Sequence, residues 1–109
     1  MIAHIQGKLV EKTPTDVVID CGGVGYHINI SLHTYSLLPN SDQIKLFTYL
    51  QVKEDAHTLF GFFEKSEREI FKMLLSVSGI GASIARTMLS SLEPKQIIQA
   101  IASGDVGTV

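Results

Sequence analysis

Residues 71–90 read FKMLLSVSGIGASIARTMLS, and the bare centre of that run is Ser78-Gly79-Ile80-Gly81-Ala82-Ser83-Ile84-Ala85. On either side the apolar residues recur three and four apart, Ile70, Phe71, Leu74 and Leu75 before it and Ile84, Ala85, Met88 and Leu89 after it, the period of an amphipathic helix. The spacing predicts helices over 66–76 and 82–90, joined by Val77-Ser78-Gly79-Ile80-Gly81. Glycine reaches backbone angles that other residues resist and leaves no Cβ in the way of a partner. Ile80, between the two glycines, is expected to point into a core and pin the loop. The N–H groups of Gly81, Ala82 and Ser83 then open the second helix as unpaired donors at the positive end of its dipole, which suits a phosphate oxygen. The plainer reading is an αα-hairpin whose glycines only permit tight packing.

The order hydrophobic, any residue, Gly, hydrophobic, Gly, followed by a helix with a small residue at Ala85, resembles the helix-hairpin-helix motif, which binds DNA backbones without reading sequence. Many such hairpins carry a lysine or arginine just after the second glycine, whereas Ala82-Ser83 stand there in this chain. Arg86 and Lys72 are the nearest bases and read as solvated. Further signals bound the helices. Ser66 followed by Glu69 predicts a capping box, Pro94 suits the first turn of a helix over 95–102, and Gly104 suits its C-terminal cap.

Before residue 64 the period is different. Short runs rich in β-branched and aromatic residues alternate with turn formers, which predicts strands over 2–12, 16–21, 25–32, 44–52 and 57–62. Turns fall at Thr13-Pro14-Thr15 and Gly22-Gly23, and 33–38 reads as one short helical turn. Five short strands with a small helix between the third and fourth is the order of an OB-fold, with an SH3-like barrel open on pattern alone. The expected fold class is thus β + α: a five-stranded OB-fold barrel over 1–63, then an all-α helix-hairpin-helix region over 64–109.

The balance of 45% hydrophobic and 18% charged residues in 109 fits a folded chain with one ordinary core, and no run approaches the roughly 20 apolar residues of a membrane helix. Without a secretory leader pattern at the start, a cytoplasmic location is expected. Nine basic against eleven acidic residues give a formal net charge of −2, which excludes a bulk polycation and puts any hold on nucleic acid down to local geometry. The single cysteine, Cys21, has no internal disulfide partner.

Val52-Lys53-Glu54-Asp55-Ala56-His57 is a polar cluster between two patterned strands and reads as a hairpin tip. Taken alone, Glu54 and Asp55 are most simply a solvated turn, and a nuclease-type metal pair is remote because no further ligand stands at a useful spacing. His4, His27, His33 and His57 are scattered, and no nucleophile is paired with a base. No catalytic constellation, metal site or cofactor motif is expected; Gly22-Gly23-Val24-Gly25 lacks the lysine of a phosphate-binding ATPase loop.

Taken together, MIAHIQGKLVEKTPTDVVIDCGGVGYHINI, VKEDAHTLFGFFEKSERE and FKMLLSVSGIGASIARTMLS closely resemble the RuvA family, bacterial subunits that recognise Holliday junctions, over essentially the whole chain. The resemblance implies a DNA-binding homotetramer that holds a four-way junction open for a partner hexameric ATPase of the RuvB type, in recombination and repair, with a junction resolvase as a further partner. It also implies that Glu54 and Asp55 form an acidic pin, four of which would gather at the crossover, and that Gly79, Ile80, Gly81, Ala82 and Ser83 grip duplex arms. Asp105-Val106-Gly107-Thr108 would open a second hairpin, with the ATPase-docking part missing, so weaker DNA affinity and no motor recruitment are expected. An oligomerisation module that binds little DNA by itself is the alternative.

Overall fold

A computed structural model of the chain describes residues 2–92 and 94–103. Five strands come first, β1 (His4–Lys12), β2 (Asp16–Cys21), β3 (Val24–Ile30), β4 (Gln43–Lys53) and β5 (Ala56–Phe62), with the short helix α1 (Leu32–Leu37) between β3 and β4. Helices α2 (Lys65–Leu75), α3 (Ala82–Ser91) and α4 (Pro94–Ser103) follow. The strands close in the order β1-β2-β3-β5-β4, with β1 antiparallel to β4 and β3 parallel to β5. That is the expected OB-fold barrel. Strand limits agree with the sequence reading to within about two residues, and Gly104 and the 105–108 stretch lie outside the described residues.

Alternation along the strands builds the barrel interior. Val17 and Ile19 on β2, Ile28 and Ile30 on β3, and Ile44 and Leu46 on β4 are buried two apart and form one apolar cluster with Ile5 and Leu38. A second cluster joins barrel to helices: Phe60 and Phe62 of β5 pack with Ile70, Phe71 and Leu74 of α2, Ala82, Ala85, Met88 and Leu89 of α3, and Ile97 of α4. Phe71 is its centre, with ring centroids 5.6 Å from Tyr49, 5.2 Å from Phe60 and 5.0 Å from Phe62. The helices therefore share an apolar core with the outer face of β4 and β5.

Two local expectations are corrected. The Ser66 capping box does not form: α2 begins one residue earlier, its N-cap is Glu64, and no side chain caps it. The cause is a tertiary contact. Glu67, fully buried in the first turn of α2, accepts 2.5 Å hydrogen bonds from Ser31 Oγ and from Thr34 Oγ1, which ties α2 to the cap of α1. Ser31 Oγ in turn accepts from Thr34 N–H, and Thr34 Oγ1 from Phe63 N–H, so both hydroxyl protons are directed at the carboxylate. Glu69 instead faces Arg68 at 3.2 Å and Lys72 at 3.5 Å. The second correction concerns Arg86, described with the groove it borders.

Candidate nucleic-acid interface

The turn between α2 and α3 is built from backbone bonds. Ser76 N–H donates to Met73 O, Val77 N–H to Leu74 O, and Ile80 N–H to Val77 O at 3.2 Å. Gly79 sits at φ +87°, a conformation that costs an L-residue about 1–2 kcal/mol, so the chain reverses at this glycine. Ile80 is half-buried and packs against the shared cluster, as its position between the glycines predicted.

Gly81 has a different reason to be bare. Its backbone is extended, at φ −92° and ψ 178°, which any residue adopts, and a Cβ built on it would meet nothing within 4 Å. Neither strain nor tight packing within the described residues requires glycine there. As N-cap of α3 it supplies no side chain, and the first helical bond runs from Ala85 N–H to Gly81 O at 3.0 Å. The N–H groups of Ala82, Ser83 and Ile84 therefore lack helical acceptors. Ser83 and Gly81 are exposed, while Ala82 is turned inward.

Pairing in the β4–β5 hairpin aims further polar groups at this entrance. Tyr49 pairs with Phe60, Gln51 with Thr58 and Lys53 with Ala56, so these residues share one face of the ribbon. At its base that face packs on the helices through Tyr49 and Phe60. Further out it becomes the wall of a groove of about 480 Å³, with Gln51, Lys53 and Thr58 on one side and Gly81, Ala82, Ser83 and Arg86 on the other. Both charged residues lining it are cations. In sequence Lys53 is only part of a polar tip; strand alternation together with the register of the hairpin turns it toward the helix entrance.

Arg86 is not a solvated base. Its Nε donates to Ile30 O at 2.8 Å and its Nη2 to Thr15 O at 2.6 Å, and no carboxylate pairs with it among the described residues. Its charge therefore stays uncancelled beside the groove. Lys72 pairs with Glu69 and does not line the groove.

Glu54 and Asp55 form the two-residue turn between Lys53 and Ala56, fully at the surface. Neither has positive φ, unlike Gly22 and Gly23 in the β2–β3 turn, so the tip is not one of the primed turns that a tight hairpin favours. At roughly 3.3 Å per residue, the tip stands about 16 Å beyond Tyr49, where the ribbon leaves the shared core. The structure thus separates the acids from the body and brings the α3 entrance beside the ribbon that carries them. Among the described residues no three His, Cys, Asp or Glu side chains come together as a metal site. His27 lies 3.6 Å from Asp16 and His33 lies 3.2 Å from Glu64, both ordinary surface pairs.

Residues 1–61 match the family described as RuvA N terminal domain, more than half of the chain. The chain belongs to the RuvA N-terminal domain family. Three relatives named Holliday junction branch migration complex subunit RuvA align with its full length: those of Flavobacterium psychrophilum (78% identical), Christiangramia forsetii (63%) and Cytophaga hutchinsonii (52%). The chain covers 56%, 56% and 55% of those proteins, so it spans about half the length of the RuvA relatives it matches. The OB-fold barrel is the part that the family description covers. Among the described residues no helix is long and apolar enough to cross a membrane.

Proposed function

We propose that this chain binds four-way DNA junctions by shape, without reading sequence, as the front part of a cytoplasmic branch-migration subunit that does no chemistry itself. The carrying observation is Gly81, where neither strain nor packing calls for glycine and where a side chain would stand at the entrance of α3. Bareness there serves an external partner. The exposed amides around Ser83 suit a phosphate oxygen, and the cations Lys53 and Arg86 line the groove and raise its potential. Gly79 and Ile80 shape the turn; Gly81, Ala82 and Ser83 present the donors.

In this reading the chain works as two units, a barrel over 1–63 and a helix-hairpin-helix region over 64–109. Four copies around a junction would gather four acidic tips at the crossover. Carboxylates pressed toward phosphates repel them, so Glu54 and Asp55 keep the crossover from collapsing and separated strands from pairing again. An attractive grip on the arms thus surrounds a repulsive centre, and a formal charge of −2 is no obstacle. A hexameric ATPase of the RuvB type would drive the arms, and a junction resolvase would act on the same complex.

Gel-shift titration of a four-way junction against linear duplex of the same arm sequence tests the proposal. Preference for the junction supports it, and equal affinity for both sinks it. A stable tetramer by light scattering that ignores DNA at low salt would favour an oligomerisation module instead.

A further inference from the structure

We infer that Arg86 is a positioning residue, a two-pronged clasp that sets the orientation of the α3 entrance relative to the acid-tipped β4–β5 ribbon; this rests on the DNA reading above for its functional consequence but not for its geometry. The helices adhere to the barrel mainly through the apolar cluster around Phe71, and apolar attraction has no preferred direction. Such a surface resists separation far better than it resists sliding or rotation. Directional bonds must supply what it lacks.

Arg86 supplies two. Its guanidinium spans from Ile30 O, at the end of β3, to Thr15 O, just before β2. Those two acceptors are already locked to one another, because Ile30 N–H donates to Thr15 O at 3.0 Å. Both bonds carry the donor's charge, which makes them stronger and shorter than neutral ones, and the planar fork fixes an angle as well as a distance. One turn further along α3, Ser90 Oγ accepts from Leu32 N–H at 3.0 Å, while donating to Arg86 O. A line of polar ties thus runs along one face of α3. Arg86 stands only five residues after Gly81, about 7 Å along the helix axis, so it is the tie nearest the exposed amides.

The consequence is selective. A linear duplex draws on the amide donors and on the charge that borders the groove, and neither depends on the angle between α3 and the ribbon. A junction needs the donors on an arm and the acids at the crossover at the same moment, so it senses the angle between α3 and the ribbon. Loosening the clasp should therefore cost junction binding more than duplex binding.

The test uses the chain with Arg86→Met, which removes both prongs and the charge, and Arg86→Lys, which keeps the charge but cannot reproduce the planar fork; the milder lysine variant carries the test if the methionine variant does not fold. Backbone N–H residual dipolar couplings report the orientation of α3 against the barrel, and fluorescence anisotropy reports affinity for a four-way junction and for duplex. We expect α3 couplings in both variants to depart from the parent's single orientation, and the preference for junction over duplex to fall about tenfold in each, with Arg86→Met also weakening duplex binding because it removes a charge that borders the groove. Couplings identical to the parent's would overturn the inference. So would junction preference fully restored by lysine while the couplings stay altered, because charge alone would then account for the effect. A parent chain with no junction preference would sink the proposed function, while the couplings would still decide whether Arg86 is a clasp.

Discussion

Replacing Gly81 with aspartate separates two duties of the α3 entrance, starting a helix and meeting an anion. No atom lies within 4 Å of a Cβ at this position, and φ −92° with ψ 178° is open to any residue, so the substitution introduces no strain. Aspartate is a better N-cap than glycine by a few tenths of a kcal/mol, and its charge at the positive end of the dipole contributes roughly 0.3–1 kcal/mol more. The variant should be more stable by about 0.5–1 kcal/mol, a rise of roughly 2–8 °C in Tm for a domain of this size. Its carboxylate would also take the free amides and stand where a phosphate would bind. Two unit charges about 5 Å apart repel by about 1 kcal/mol at the dielectric of water and about 3 kcal/mol at an effective dielectric near 20. DNA affinity should fall between about fivefold and a hundredfold. Thermal unfolding followed by circular dichroism and anisotropy titration with a four-way junction measure the two effects. A chain that is stabilised yet binds the junction as tightly as its parent would show that the α3 entrance is not the contact.

Three further outcomes are expected. Glu54→Gln combined with Asp55→Asn should tighten junction binding, measured by anisotropy at low salt; weaker binding would count against repulsion as the role of the tip. Burial raises the pKa of Glu67 above its ordinary 4.5, against the opposing hydrogen bonds from Ser31 and Thr34. The stability this group contributes is therefore complete below pH 4.5 and is lost as the pH climbs through the raised value, with a slope of at most about 1.4 kcal/mol per pH unit. Urea unfolding of Glu67→Gln across that window should show a flatter pH profile than the parent, and parallel profiles would mean the carboxyl titrates normally. Phe71→Ala removes the ring at the meeting point of Tyr49, Phe60 and Phe62 and should cost about 3–5 kcal/mol in denaturant unfolding, with the helices loosened from the barrel.

Strand and helix periods were legible because they are local. Val17 and Ile19, or Leu74 and Leu75, carry their period within a few residues, and Gly79 with Ile80 announces a reversal wherever the rest of the chain lies. The exposed tip at Glu54 and Asp55 followed from the same local pattern. The capping box failed because Glu67, charged and therefore unremarkable in sequence, is drawn inward by Ser31 and Thr34 from 36 and 33 residues away. Arg86 read as a loose surface base because its acceptors lie 56 and 71 residues back along the chain. Lys53 reached the groove only once hairpin register and helix packing had been combined. Chain order therefore specified the elements and their bare turn, since propensity and periodicity act over a few residues. Which charges turn inward, and which face the helix entrance, depended on contacts closed across dozens of residues, and no local pattern encodes those.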